Sequence, residues 1–176
     1  MSTRHDTALI RASRAVVRVE QWLCSALIVA FSVLLIVNVI SRYAFDSPLF
    51  FAEELAVYIL IWMAFLAISI GIHHDSHVRL TLLTGCLPVS LRQVCYWVTE
   101  GLTLLILAVL LKYSIDWVRS PSVTFDIALT LGWPKWVFYL IVPIFSTTAL
   151  LHVAARLSDP SRRAAALGLA SKESMP

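Results

Sequence analysis

Charged residues interrupt this chain at only a few places, and the intervals between them are long and apolar. None stands between Glu20 and Arg42 or between Glu54 and His73. From Arg92 to Lys112 only Glu100 intervenes, and from Lys135 to His152 nothing does. A helix rises about 1.5 Å per residue and the hydrocarbon layer is about 30 Å thick, so about 20 apolar residues cross it. The pattern therefore predicts an all-α integral membrane protein with four transmembrane helices, near residues 20–41, 50–72, 91–113 and 134–156. Residues 1–19 read as a basic cytoplasmic or interfacial segment, 20–156 as the four-helix membrane domain and 157–176 as a mobile cytoplasmic tail. No room remains for a separate soluble domain.

The first two spans meet at a corner that carries three charges. Arg42 closes the first, and Glu53 and Glu54 open the second. Between them Asp46-Ser47-Pro48 reads as a turn leading into a helix, with Ser47 as N-cap and Pro48 at the first helical position. Adjacent carboxylates point about 100° apart on a helix, so Arg42 is expected to pair with one of them across the hairpin. Asn38, one turn before Arg42, is expected to hydrogen-bond across to a neighbouring helix.

Composition agrees with the membrane reading. Of 176 residues, 59% are hydrophobic and only 14% charged, against about 25% in ordinary soluble domains; mean hydropathy is +0.81. Lysine and arginine placement sets orientation. Ten of them lie in the N-terminal segment, the loop between helices two and three and the C-terminal tail or, for Arg92 and Arg156, at the helix ends adjoining them, against four on the other side. Both termini are thus expected in the cytoplasm. The formal charge of +3 follows from this asymmetry and suits anionic lipid heads rather than nucleic acid. The first apolar run is too long for a signal peptide and lacks a small-residue cleavage site, so it reads as a retained helix. Its lead-in, Ala8-Leu9-Ile10 with Val16-Val17 among arginines, suggests an amphipathic helix on the membrane surface.

Glu100 is the residue that most invites a functional role. Ten residues into helix three it would lie about 15 Å along, near mid-bilayer, where an acid must face protein or water. Three readings compete: a contact within the bundle or with another subunit, which ranks first; a proton relay; and a hydrogen bond to Thr99 or Thr103. His73 and His77 have the i, i+4 spacing that can hold a metal, although two ligands make an incomplete site. An interfacial segment through Val78-Arg79-Leu80 follows, ended by Gly85 and Pro88, and Ser90-Leu91-Arg92-Gln93 has the form of a capping box for helix three. Cys24, Cys86 and Cys95 show no paired spacing and read as small hydrophobes. Trp117, Trp133 and Trp136 suit an outer aromatic belt, and Pro143 should kink helix four by removing the donor for the Tyr139 carbonyl.

Three blocks resemble a known family. Asn38-Val39-Ile40-Ser41-Arg42-Tyr43-Ala44-Phe45-Asp46-Ser47-Pro48-Leu49, followed by Ala52-Glu53-Glu54-Leu55 and Leu60-Ile61-Trp62, is the specific one. His77-Val78-Arg79-Leu80 and Leu131-Gly132-Trp133-Pro134 with Tyr139 and Pro143 support it. Together they resemble the small permease subunit (DctQ type) of tripartite ATP-independent periplasmic (TRAP) transporters. Thr81, where the family often has aspartate, and Phe145, where it often has a small residue, depart from the pattern.

The resemblance implies an accessory subunit in the bacterial inner membrane that braces a large, many-helix permease. It further implies sodium-coupled uptake of an organic acid, a C4-dicarboxylate or sugar acid for example, delivered by a periplasmic substrate-binding protein. Asn38, Arg42, Tyr43, Glu53, Glu54, Trp62, Arg79 and Glu100 would then stabilise the bundle or a subunit interface, with no catalytic residue, metal or cofactor. The residues alone agree that this is a poor carrier by itself, with one mid-membrane acid, five glycines and no inverted repeat of broken helices. Two rivals are a four-helix redox anchor holding haem between His152 and His73 or His74, and a small proton-coupled exporter built on Glu100.

Overall fold

The computed structural model describes residues 8–74 and 89–158, apart from the side chains of residues 89, 90 and 92. Among these residues the chain forms α1 (Ala8–Ala44), α2 (Phe50–His73), α3 (Val89–Val118), the single turns α4 (Pro121–Thr124) and α5 (Trp136–Tyr139), and α6 (Ile141–Leu157). Four stretches are long and apolar enough to span a bilayer: α1, α2, Gln93–Val118, and Trp136–Leu157, which joins α5 to α6. The end at which α1 turns into α2 is the hairpin end, and the opposite one the termini end.

Helix α6 is the organising element, packing against α1, α2 and α3, while α1 also lies along α2. The main core joins Leu107 of α3 to Phe145, Ala149 and Val153 of α6, with Phe65 and Ile72 of α2 against it. Lipid is as apolar as leucine, so close packing rather than water exclusion holds such helices together. Ala149 is fully buried where helices approach. Phe145 packs its ring 5.2 Å from that of Phe65 and fills this core. A second cluster, Tyr58, Ala128 and Phe138, sits towards the hairpin end. The outward surfaces of α1, α2 and α3 stay largely apolar and exposed, as membrane-facing helices require.

Several boundaries differ from expectation. No break separates residues 8–19 from the first span: α1 runs 37 residues, about 55 Å, as one helix. Ser13, Val17 and Glu20 recur on one face and are buried, so this segment is held by packing rather than lying apart on the surface. Helix α3 starts at Val89, which places Ser90 inside its first turn instead of ahead of it. The fourth span breaks at Leu140, between α5 and α6, just before Pro143. Cys24 and Cys95 are half-buried free thiols. The expectations for Arg79, His77, Thr81, Gly85, Cys86, Pro88 and the tail beyond Ser158 lie outside the described residues.

Candidate functional site

At the hairpin end, α1 supplies the groups that close the turn. Helix α2 begins at Phe50 with Leu49 as its N-cap, so Ser47 is not the cap and Pro48 is not the first helical residue. Leu49 uses no side chain of its own. Instead the buried Asn38 accepts the Leu49 N–H through Oδ1 at 3.2 Å, answering one of the open donors at a helix start. The Ser47 N–H donates to the Ser41 carbonyl at 3.1 Å, and the Ser41 hydroxyl donates to the Ser47 carbonyl at 2.5 Å. Asp46 absorbs the reversal at φ 50°, a left-handed conformation that aspartate tolerates.

The two acids of the corner divide their work. Arg42 Nη2 donates to Glu53 Oε1 at 2.5 Å, with both side chains largely exposed. Glu54 faces the other way and accepts the Thr130 N–H at 2.8 Å and the Thr130 hydroxyl at 2.5 Å. It thereby ties α2 to the loop before α5. That loop is shaped by Gly132 at φ 69°, whose N–H donates to the Ala128 carbonyl at 2.8 Å. Lys135 Nζ donates to Asp126 Oδ2 at 2.8 Å, and this carboxylate raises the lysine pKa above its ordinary value. Tyr43 is 82% exposed. A Glu54→Ala variant is expected to leave the helices intact while amide exchange at Thr130 speeds up and the loop becomes easier to cleave. Unchanged exchange there would show that the clamp is not what orders the loop.

Trp62 meets the break in the fourth span. Its indole N–H donates to the Phe138 carbonyl at 2.9 Å, and Tyr58 stacks on Phe138 with ring centroids 4.0 Å apart. The helix interruption near Pro143 disturbs the carbonyls one turn before it, and an indole from α2 answers one of them. Trp62→Phe keeps the ring and removes the donor. It is expected to cost about 1 kcal/mol in unfolding experiments in mild detergent, and a change no larger than noise would remove this role.

The termini end holds a buried polar layer built from three stripes at helical spacing: Ser13 and Glu20 on α1, Ser69 and His73 on α2, and Thr148, His152 and Arg156 on α6. Glu20 Oε1 accepts the Ser69 hydroxyl at 2.7 Å, and Glu20 Oε2 lies 3.2 Å from His152 Nε2. Ser13 Oγ lies 2.8 Å from His152 Nδ1 and 3.0 Å from His73 Nδ1. The two Nδ1 atoms are 3.3 Å apart. Ser69 also reaches Thr148 Oγ1 at 3.1 Å.

Next to this layer Arg156 Nη2 donates to Glu100 Oε2 at 2.6 Å, with both side chains only 8% exposed. Glu100 therefore faces the last turn of α6, nearer the termini end than mid-depth. Its partner is a guanidinium, and neither Thr99 nor Thr103 holds it: the Thr103 hydroxyl donates to the Thr99 carbonyl instead. A buried carboxylate bound to arginine is a structural ion pair, which does not fit an exporter organised around a Glu100 proton relay.

Sequence reasoning singled out Glu100, His73 and His152 but missed Ser13, Glu20, Ser69 and the inward turn of Arg156. The available signal was the period of four along each helix, Thr148-His152-Arg156 above all. Arg156 follows the last apolar run, so the charge pattern groups it with the tail cations, and only the packing of α6 on α3 turns it inward.

The haem reading is not favoured. The His73 and His152 rings touch, with centroids 4.9 Å apart and their Nδ1 atoms 3.3 Å apart, so no macrocycle fits between that pair, while His74 is exposed and its Nε2 lies 3.0 Å from Gln21 Nε2. No group of three or more histidine, cysteine or acidic side chains able to hold a metal occurs among the described residues.

These features define a class: a helical multi-pass membrane protein whose buried polar groups tie its own helices together. The family description "Tripartite ATP-independent periplasmic transporters, DctQ component" matches residues 31–163. The chain belongs to this family and is a TRAP transporter small permease subunit of the inner membrane. It is 29% identical over 144 residues to the ectoine TRAP transporter small permease protein TeaB of Halomonas elongata, covering 78% of this chain and 75% of that one. It is 29% identical over 121 residues to the sialic acid TRAP transporter permease protein SiaT of Haemophilus influenzae, 69% of this chain. That match spans only 20% of SiaT. With the isethionate TRAP transporter permease protein DctMQ of Oleidesulfovibrio alaskensis, identity is 26% over 92 residues, 52% of this chain and 14% of that protein.

Proposed function

We propose that this chain braces a large permease subunit in sodium-coupled, binding-protein-dependent uptake of a small organic acid. One observation carries the reading: in SiaT and DctMQ the stretch like this chain is a minor part of a much longer permease protein. The same kind of domain thus travels with a larger transport unit. The substrates for which the relatives are named, sialic acid, ectoine, isethionate and C4-dicarboxylate, support a small, charged organic molecule as the cargo.

On this reading both termini and the loop between α2 and α3 face the cytoplasm, in keeping with the ten-to-four lysine and arginine asymmetry. The hairpin end then faces the periplasm, where the substrate-binding protein delivers cargo. Asn38, Arg42, Glu53, Glu54 and Trp62 keep that end in shape, the exposed Tyr43 is turned towards neighbouring subunits or lipid, and Glu100 stabilises the bundle through Arg156. None of them performs chemistry. A long α1 with mostly outward apolar side chains gives the bracing surface in the bilayer.

A mild-detergent pull-down of the tagged chain from its own host membranes tests this. Recovery of a large polytopic permease in equal amount is the expected result, and its binding protein would then lead to the substrate. Recovery of the chain alone, or with a redox enzyme, would overturn the assignment.

A further inference from the structure

We propose that the loop of residues 119–135 is a lipid anchor, holding Phe125, Ile127, Leu129 and Trp133 in the bilayer boundary at the hairpin end. The inference goes beyond the transport reading and does not depend on it.

The loop has two faces. Val123 and Ala128 are buried, and Ala128 joins the cluster of Tyr58 and Phe138, with Leu131 packed against it. On the other side Phe125 is 81% and Leu129 93% exposed, and Ile127 and Trp133 are more than half exposed. A single antiparallel bridge from Ile127 to Pro134 closes the loop between them.

Its polar groups are arranged the opposite way, towards the loop itself. The Ser120 hydroxyl donates to the Trp117 carbonyl at 2.7 Å. That uses its one proton, so the Ser122 hydroxyl donates to Ser120 Oγ at 3.0 Å. The Thr124 hydroxyl donates to the Ser120 carbonyl, and the Thr130 hydroxyl to Glu54. Asp126 and Lys135 answer each other's charge. The backbone closes in the same manner: the N–H groups of Val123, Thr124, Phe125 and Asp126 all donate within the turn of α4. The Ala128 N–H donates to the Trp133 carbonyl at 2.8 Å, and the Lys135 N–H to the Asp126 carbonyl at 2.9 Å. Water would satisfy such groups without this closure. A loop that meets hydrocarbon must satisfy them internally and turn apolar side chains outward.

Depth selects lipid as the occupant of the exposed face. The flanking spans end at Val118 and resume at Trp136, so the loop begins and finishes at the edge of the hydrocarbon layer. Exposed Tyr113 and Trp117 precede it and exposed Trp136 follows it, which continues the membrane-facing surface of these spans. Tryptophan rings suit the headgroup level. Arg119, exposed where the loop starts, can place its guanidinium among headgroup phosphates. A segment of this kind lies in the boundary between headgroups and acyl chains rather than across the bilayer. Because Glu54 ties the loop to α2 through Thr130, the anchor fixes the depth at which the hairpin end of α2 sits.

The test is a depth measurement by spin labelling of the full-length chain in vesicles of phosphatidylethanolamine and phosphatidylglycerol. Cys24, Cys86 and Cys95 are changed to serine, and labels are introduced by Phe125→Cys, Leu129→Cys and Val29→Cys. Val29 lies in the first span, is 63% exposed, and serves as the lipid-facing reference. Labels at 125 and 129 are expected to meet dissolved oxygen more readily than a water-soluble nickel chelate, as at 29. Readier access to the chelate would put the loop in water and overturn the anchor. Poor access to both reagents would mean that protein covers this face, and would overturn it equally. The unaltered chain provides a second measurement that does not depend on any variant folding. A lipid-soluble diazirine, activated by light in the same vesicles, should label the tryptic peptide 120–135 at residues 125–129. No label there while peptides of α1 are labelled would also overturn the proposal.

Discussion

An Arg156→Met variant is expected to lose about 3–5 kcal/mol of stability, the usual result of removing one partner from a buried ion pair. Glu100 would be left buried in the bundle without its guanidinium partner, and burial keeps water from taking over easily. Most of that loss measures the stranded carboxylate rather than the worth of the intact pair. The double variant Arg156→Met with Glu100→Leu should therefore recover most of the stability, because well-packed apolar residues replace such pairs at little cost. Denaturant or thermal unfolding in mild detergent separates the two. A single variant no worse than a surface change, or a double variant worse than both singles, would mean that the pair does not act as described.

The second large effect is expected from Glu20→Leu, at about 2–4 kcal/mol. The change takes the acceptor from the Ser69 hydroxyl, which is 0% exposed, and from His152 Nε2. Each buried donor left unanswered costs about 1–3 kcal/mol. The leucine cannot restore the link between α1 and the other two helices, so the part of α1 before Glu20 should loosen first. Limited trypsin digestion reads this directly, since Arg11, Arg14 and Arg18 lie on that segment. Cleavage there no faster than in the wild type would show that apolar packing around Val17, and not the polar layer, anchors the segment.

Both predictions concern residues that a linear reading treated unequally. Glu100 stood out because a lone acid inside an apolar run is conspicuous at once. Arg156, its partner, looked like one of several tail cations, because the apolar run ends before it. Glu20 similarly marks the edge of the first apolar run, whereas α1 continues through it and its carboxylate turns inward between α2 and α6. At the hairpin end the forecast did better with charges than with capping. Arg42 does reach Glu53, but the helix start is answered by Asn38 from the preceding helix rather than by Ser47.

The chain's own order of residues determined four spanning helices, the charged corner between the first two, the aromatic and proline positions around the last, and the resemblance to the small TRAP permease subunit. These follow from local properties: apolar run length against bilayer thickness, charge against lipid, and the conformations that proline and glycine allow. Only the tertiary structure decided which polar groups meet. Side chains at 13, 20, 69, 73, 148 and 152 sit far apart along the chain, and the angle at which α6 crosses α1 and α2 joins them into one layer. That angle is set by packing at buried small residues such as Ala149 and by the fit of Phe145 against Phe65, which no single segment reveals. Lipid gives helices no apolar reason to associate, so this packing and the satisfied polar contacts select the partners.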